Sequence, residues 1–289
     1  MGRGCSLKRD HATVAGDGAT ATVAAYPPAA PPPGVTVAIP NWNHELLLAR
    51  SVGSALRAVR LLRARGVPAD VLVVDDASRD GSPVLLRQLE ALYYADGLRV
   101  LALARNGGLA ATRNAALRES PHRYVVFMDA DNELLPENLY DFYRSIRDTA
   151  AAAVYGNLLS RRRDSGHVAV LSNESVQDRM LEHNYVDAFG LFDRLQLLDC
   201  GGYSDAPAVR SREDWELYLH LAACGRRVVF VPLVFGYYHD LPGSMIKQSA
   251  GDEAGQKGHL TRVFDQLGAR RRLPLNTRHL RYHPDVGYL

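Results

Sequence analysis

The chain has 289 residues, of which 47% are hydrophobic, and it carries a formal net charge of +2. This length suits one large domain or two small ones, and the apolar fraction is sufficient for a sizeable core. A charge so close to neutral gives no support for a nucleic-acid-binding surface.

Residues 1–34 are rich in Ala, Pro and Gly and lack helical or strand periodicity, so we predict a disordered tail. From residue 35 onward, four strand patterns alternate with three helical patterns. The strands are at 35–40, 71–74, 98–103 and 124–128, and the helices are at 45–65, 82–94 and 109–118. This alternation predicts an α/β fold in which a parallel sheet carries helices on both faces.

The regular alternation stops after Pro136. The patterns predict a helix to about 149, a strand at 152–155, edge strands or loops at 157–176, an ambiguous stretch at 180–198, a helix at 213–224, a strand at 228–235 interrupted by Pro232, and a helix at 257–272. We therefore expect one domain at 35–256 and a C-terminal helix and tail at 257–289. Within the domain we expect two halves, a regularly alternating one at about 35–132 and a less regular one at about 133–256.

The cysteines Cys5, Cys200 and Cys224 show no metal-ligand spacing, so we expect reduced thiols in a cytoplasmic protein. No run reaches the roughly 18 apolar residues of a membrane span. The arginine clusters at 161–163 and 270–272 leave contact with an anionic acceptor or a membrane surface open, although a solvated face is the simpler interpretation.

Acidic residues follow two of the predicted strands. Asp75 and Asp76 follow the second strand, and Asp129 and Asp131 follow the fourth. Ligands of open α/β sheets bind at the carboxyl ends of strands, and Mg²⁺ typically takes one or two carboxylates together with substrate phosphates. The pattern indicates a metal-assisted enzyme that acts on a nucleotide diphosphate, although each pair alone is also typical of turns and helix caps.

Other candidate residues lie near the same predicted edge. Gly107 would let the backbone approach a ligand, and Arg113 could bind a carboxylate or phosphate rather than solvent. Asp214 could act as a general base, although acids also favour the first turn of a helix. His239 could bind a metal or play a structural part. The chain lacks the glycine-rich signatures of dinucleotide and Walker-type sites.

Taken in order, these segments resemble family 2 glycosyltransferases with the GT-A fold over roughly residues 35–245. The matching segments are Val35-Thr-Val-Ala-Ile-Pro-Asn-Trp-Asn43, Val-Val-Asp75-Asp76-Ala-Ser78, Asn106-Gly-Gly-Leu, Ala-Thr-Arg113-Asn114, Phe-Met-Asp129-Ala-Asp131, Gly201-Gly-Tyr203 and Glu213-Asp214-Trp215. The resemblance implies a Rossmann-like αβα sandwich whose mostly parallel sheet has a small antiparallel region on the acceptor side.

The resemblance also implies the inverting transfer of a sugar from a nucleotide-diphosphate donor, commonly a UDP-sugar, with Mg²⁺ or Mn²⁺. The implied donor residues are Pro40, Asn41 and Asn43 beside the base, Asp76 on the base, Arg113 near the nucleotide and Asp129 at the ribose or metal. Asp131 would be the principal metal ligand, Asp214 the catalytic base, and His239 a second residue near the metal and diphosphate.

The sequence leaves the acceptor and the oligomeric state open. A saccharide, a lipid-linked sugar and a small natural product are all candidate acceptors. A sugar-1-phosphate nucleotidyltransferase is an alternative, but it would carry a glycine-rich basic loop where this chain has Pro40-Asn-Trp-Asn43. A non-catalytic nucleotide-sugar-binding module is the second alternative, and the intact pair Glu213-Asp214 speaks against it.

Overall fold

The structure is a computed structural model, and it describes residues 32–162, 168–171, 186–205, 212–240, 282–283 and 287–288. The predicted tail up to residue 31, the predicted helix at 257–272 and the side chains of both arginine clusters lie outside the described residues. Among the described helices, none combines the length and the apolar character needed to cross a membrane.

Nine of the described strands form one mixed sheet in the order β3-β2-β1-β4-β8-β6-β9-β5, with β7 paired to β6. These strands are β1 (Val35–Asn41), β2 (Ala69–Asp75), β3 (Leu98–Ala102), β4 (Tyr124–Phe127), β5 (Glu133–Leu134), β6 (Ala153–Arg162), β7 (Val168–Leu171), β8 (Leu191–Asp193) and β9 (Val228–Asp240). A separate antiparallel pair consists of β10 (Tyr282–His283) and β11 (Gly287–Tyr288).

Helices cover both faces of the main sheet. They are α1 (Glu45–Ala64), α2 (Ser82–Tyr93), α3 (Leu109–Glu119), α4 (Leu139–Thr149), α5 (Arg194–Asp199) and α6 (Glu213–Ala223). The apolar sides of α1 and α4 form one core with alternate residues of β1 and β4, and α3 and α6 form a second core on the opposite face. The predicted sandwich is therefore confirmed, and its central strands are buried on both sides as parallel sheets require.

The carboxyl ends of β1 and β4 fix the position of the site. Strand β1 pairs in parallel with β2 on one side and with β4 on the other, so that Val37 lies opposite both Val71 and Val126. The chain runs outward from β1 to β2 and β3 and then returns to β4, which reverses the strand order between β1 and β4. Open α/β sheets bind ligands beyond the carboxyl ends of the strands at such a reversal.

The second half of the sheet contains the predicted antiparallel region. Strand β8 runs antiparallel to β4 and β6, and β5 runs antiparallel to β9. Strand β6 is longer than the predicted 152–155, and β9 continues through Pro232 to Asp240. Proline has no backbone N–H to donate to a neighbouring strand. The register shift between Gly156 and Asn157 leaves Pro232 without a paired residue in β6, so no donor is needed there.

The close approach of β6 to α4 and β9 gives a stability prediction. A Cβ on Gly156 would lie 2.5 Å from the Leu233 carbonyl oxygen and 2.5 Å from the Phe142 ring. We expect Gly156→Ala to lower the free energy of unfolding by about 1–3 kcal/mol, since neither group can move freely. Gly53→Ala is the matched control, because its nearest neighbour is the flexible Arg57 side chain at 3.7 Å.

Urea denaturation monitored by circular dichroism measures both variants. Gly53→Ala lies inside α1 and should leave stability unchanged or raise it by up to about 1 kcal/mol. Equal stability of Gly156→Ala and the wild type would contradict the packing at this crossing.

Candidate functional site

The loop after β2 is fastened to the end of β1 by Asp75. Its carboxylate accepts hydrogen bonds from Asn41 Nδ2 at 2.7 Å and from Ser78 Oγ at 2.6 Å. Ser78 Oγ also accepts the backbone N–H of Asn43 at 2.8 Å, and Asn43 adopts a φ of 59°, which asparagine tolerates better than most residues. Asp75 therefore holds the predicted donor segment from Pro40 onward in one conformation.

Asp76 orders the loop that leads into α3. Its two carboxylate oxygens accept the backbone N–H groups of Gly107 at 2.7 Å and Gly108 at 2.8 Å. Gly108 has a φ of 83°, and a Cβ on Gly107 would already touch Ala111 at 3.0 Å. Because each carboxylate oxygen keeps a second lone pair, this use leaves room for the predicted hydrogen bond to a base.

Arg113 joins the end of β4 to the start of α6. Its Nη2 donates to Asp129 Oδ1 at 2.9 Å, and its Nη1 donates to Glu213 Oε1 at 3.2 Å. The Arg113 side chain is 3% exposed, and its guanidinium lies 5.3 Å from the centre of the Tyr203 ring. Burial alone would lower the pKa of Arg113, but the neighbouring carboxylates raise it, so the guanidinium stays charged.

The next residue, Asn114, explains the sequence pair Arg113-Asn114. Its amide donates to the Tyr203 carbonyl oxygen at 2.8 Å and accepts the Tyr203 backbone N–H at 2.9 Å. A Cβ on Gly202 would lie 2.6 Å from Asn114 Oδ1, so glycine is required at this turn. The predicted turn at Gly201-Gly202-Tyr203 is thus the support that brings the Tyr203 ring onto Arg113.

Asp131 lies just beyond Asp129, with its backbone carbonyl bound by Arg50 Nη2 at 2.7 Å. Burial and the nearby charge of Asp129 raise the pKa of the Asp131 carboxyl to about 7. A carboxylate in such surroundings is stabilised by any added positive charge. The geometry therefore provides a reason for a cation at this carboxylate.

Asp214 occupies the first turn of α6, where its Oδ1 accepts the backbone N–H of Trp215 at 2.7 Å. The charge of Asp214 acts on Arg113 and on Tyr203, as does the charge of Asp129. The structure thus brings the acid after β4 and the acid at the start of α6 to the same buried arginine, although they are far apart in sequence.

His239 lies at the end of β9 and is held by β5. Its Nε2 is 2.9 Å from Glu133 Oε1, and its backbone N–H donates to Asn132 Oδ1 at 3.1 Å. Arg50 Nε lies 3.2 Å from the same Glu133 oxygen. These contacts place His239 beside the Asp131 loop, and its ring binds Glu133 here; a metal-binding role stays a prediction.

Four residues near the site were not among the predicted ones: Arg50, His44, Asp187 and Glu133. Burial lowers the pKa of His44 while Asp129 opposes that shift, and burial together with Asp129 raises the pKa of Asp187 to about 6. Asp187 Oδ1 accepts the backbone N–H of Phe189 at 2.8 Å, just before β8. None of these four residues belongs to a local sequence motif, so no pattern in the sequence marked them as candidate site residues.

The acids fit the divalent cation that the resemblance implies. Carboxylate oxygens suit Mg²⁺ and Mn²⁺, and the charge of Asp129 raises the pKa of both Asp131 and Asp187, which are largely buried. In the described ranges, no three His, Cys, Asp or Glu side chains are grouped as a complete set of metal ligands. The fit is therefore to a cation that takes its remaining ligands from a diphosphate and water.

Comparison with known sequences gives a family match. The profile described as "Glycosyl transferase family 2" matches residues 36–217. The succinoglycan biosynthesis protein ExoO of Rhizobium meliloti (strain 1021) is 26% identical over 228 residues, which is 74% of this chain and 62% of ExoO. The chain therefore matches less than two thirds of the length of that relative.

Comparison with solved structures shows the same fold. S. aureus TarS 1–349, in complex with UDP-GlcNAc, gives a TM-score of 0.63 at 17% identity, over 83% of this chain and 68% of the TarS 1–349 chain. The mannosyltransferase PcManGT from Pyrobaculum calidifontis, in complex with GDP-Man and Mn²⁺, gives a TM-score of 0.56 at 18% identity over 83% of this chain and 75% of PcManGT. Both likenesses confirm the expected GT-A fold.

The raised pKa of Asp131 predicts how the stability of the metal-free protein depends on pH. The pKa is about 7 in the fold against an ordinary 3.8, so between these values the native state binds the extra proton. Stability should therefore fall as pH rises from 4 to 7, by at most about 1.4 kcal/mol per pH unit. The measurement is urea denaturation in EDTA at pH 5 and pH 7.5.

Asp131→Asn should remove most of this loss, because the amide does not ionise. Asp148→Asn is the control, since Asp148 lies on the surface of α4 with a side chain that is 54% exposed. An equal pH dependence in Asp131→Asn and the wild type would contradict the electrostatic description of this carboxyl.

Proposed function

Because the chain belongs to glycosyl transferase family 2, we propose that it is an inverting glycosyltransferase. It moves a sugar from a nucleotide-diphosphate donor, a UDP-sugar, to a hydroxyl of its acceptor, with Mn²⁺ or Mg²⁺ as cofactor. The observation that carries the proposal is that Arg113 binds both Asp129 and Glu213. Asp214 directly follows Glu213 in the chain.

The donor binds beyond the carboxyl ends of β1, β2 and β4. Asn41 and Asn43 lie beside the base, and Asp76 accepts a hydrogen bond from it while holding Gly107. Asp129 faces the ribose or the cation, and Asp131 supplies the principal carboxylate ligand. The order of the strands supports this placement, since the reversal between β1 and β4 lies at the centre of these residues.

Asp214 is the general base. It takes the proton of the acceptor hydroxyl as the acceptor oxygen bonds to the anomeric carbon, while the nucleoside diphosphate leaves from the opposite side. This single displacement inverts the anomeric centre. Glu213 lies across Arg113 from Asp129, and Asp214 is the next residue of α6, which supports a base near a donor held at β4.

The leaving diphosphate carries negative charge that must be stabilised. A bound Mn²⁺ or Mg²⁺ supplies Lewis-acid stabilisation of that charge. The residues that would hold the ion are Asp131 and, at the edge of the site, Asp129 and His239. Arg50 Nη2 donates to the backbone carbonyl oxygen of Asp131 at 2.7 Å, which fixes the backbone that carries this carboxylate.

The names of TarS and ExoO support a UDP-sugar donor and a saccharide acceptor, whereas PcManGT was solved with GDP-Man. TarS was solved with UDP-GlcNAc and with UDP, and ExoO is named for succinoglycan biosynthesis. A lipid-linked sugar and a small natural product remain alternative acceptors. The donor-binding half at about 35–132 and the acceptor half at about 133–256 follow from the same proposal. The family match counts against a sugar-1-phosphate nucleotidyltransferase.

The base assignment predicts a specific loss of turnover. Asp214→Asn should reduce the rate of sugar transfer by about 10²- to 10⁴-fold, because general-base help has this typical size. Its affinity for UDP with Mn²⁺ should change little, since Asp214 is not a donor ligand. Release of UDP measures the rate, Asp148→Asn is the control, and an Asp214→Asn variant with wild-type turnover would refute the assignment.

The metal assignment predicts a linked loss of donor binding. Titration calorimetry with UDP should show tighter binding in Mn²⁺ than in EDTA for the wild type. Asp131→Ala should bind UDP equally weakly in both conditions, because Asp131 would hold the ion that stabilises the charge of the diphosphate. A wild-type affinity for UDP that is the same with and without Mn²⁺ would exclude this role for Asp131.

A further inference from the structure

The Arg113 side chain is closed off from solvent. Its side chain is 3% exposed, one terminal nitrogen binds Asp129 at 2.9 Å, and the other binds Glu213 at 3.2 Å. The Tyr203 ring lies 5.3 Å from the guanidinium carbon. The guanidinium therefore acts inside the protein, between two carboxylates, rather than as an open phosphate ligand.

Glu213 is buried beyond what its helix position requires. An acid in the first turn is favoured by the helix dipole even when it faces solvent. The Glu213 side chain is instead 8% exposed and points at Arg113, and its pKa is raised by burial and lowered by Arg113. Removing a carboxylate from water is costly without a partner, so this contact is the compensation that the buried position needs.

The contact ties the first turn of α6 to α3. The residue that precedes the helix, Arg212, makes no side-chain hydrogen bond to the first turn. Glu213 reaches across to Arg113, which Asn114 and the Tyr203 turn hold in place. Asp214 therefore directly follows a residue whose side chain is fixed, and the fixed backbone of this first turn sets the direction of the Asp214 side chain.

We propose that Glu213 and Arg113 are positioning residues, which orient Asp214 toward the donor and connect the base to Asp129. This inference rests on the proposed function. Loss of the contact leaves the donor loops at β1 and β2 intact, because Asp75 and Asp76 hold those loops independently. The transfer step should therefore suffer more than donor binding.

The test uses two conservative variants of the full chain. Glu213→Gln keeps the length and a hydrogen-bond acceptor but removes the charge, and Arg113→Lys keeps the charge but cannot bridge two carboxylates with a planar fork. Arg60→Lys is the matched control, because Arg60 forms a two-pronged ion pair with Asp96 on the surface. The rate of UDP-GlcNAc hydrolysis in Mn²⁺, measured as the UDP released, gives kcat and KM. Calorimetry gives the Kd of UDP.

We expect Glu213→Gln and Arg113→Lys to lower kcat by about 10- to 100-fold, since a small misplacement of a catalytic group has this effect. The Kd of UDP should stay within about threefold of the wild type in Glu213→Gln, which leaves the contact between Arg113 and Asp129 in place, and Arg60→Lys should match the wild type throughout. In the Asp214→Asn background, Glu213→Gln should change kcat less than about twofold, because Glu213 acts through Asp214.

Three results would overturn the inference. The first is wild-type kcat in Glu213→Gln, and the second is a loss of UDP affinity that matches the loss of kcat. The third is a loss of kcat that is as large when Glu213→Gln is added to Asp214→Asn as when it is made in the wild type. That result would indicate a general structural defect. A wild type that neither binds UDP nor releases it from UDP-GlcNAc or other UDP-sugars would instead overturn the proposed function, and the role of this pair with it.

Discussion

One buried cation holds the candidate site together. Arg113 is almost inaccessible to solvent, and it binds Asp129 after β4 and Glu213 at the start of α6. A charge in such a place is tolerated only with well-placed partners, so the two carboxylates and the arginine require one another. The contact unites the parallel half of the sheet with the helix that carries Asp214.

The rest of the fold places ligand-facing groups around that contact. The strand reversal between β1 and β4 opens the space beyond the carboxyl ends, and Asp75 and Asp76 fix the loops on one side of it. On the other side, Glu133 joins Arg50 to His239 and links α1 to the end of β9. The loops that would meet a donor are therefore supported by side-chain hydrogen bonds and ion pairs, several of them buried or partly buried.

Local pattern was sufficient for the first half of the fold, because buried parallel strands and amphipathic helices have distinct periods. It also located the acids that follow β2 and β4 and the acid that begins α6, whose roles in binding and catalysis stay predictions. Pattern failed where tertiary contacts decide the structure. The passage of β9 through Pro232 depends on a bulge opposite Gly156, and Asp187 gains its importance from the charge of Asp129. Neither effect is visible in a window of neighbouring residues.

A crystal structure of the protein with UDP-GlcNAc and Mn²⁺ tests the central claim most directly. We predict that the ion binds a carboxylate oxygen of Asp131 and the diphosphate. We also predict that Asp214 faces the anomeric carbon from the side opposite the leaving group. A donor bound at another part of the surface, or an Asp214 carboxylate on the same side as the diphosphate, would contradict the claim that these acids form one catalytic site.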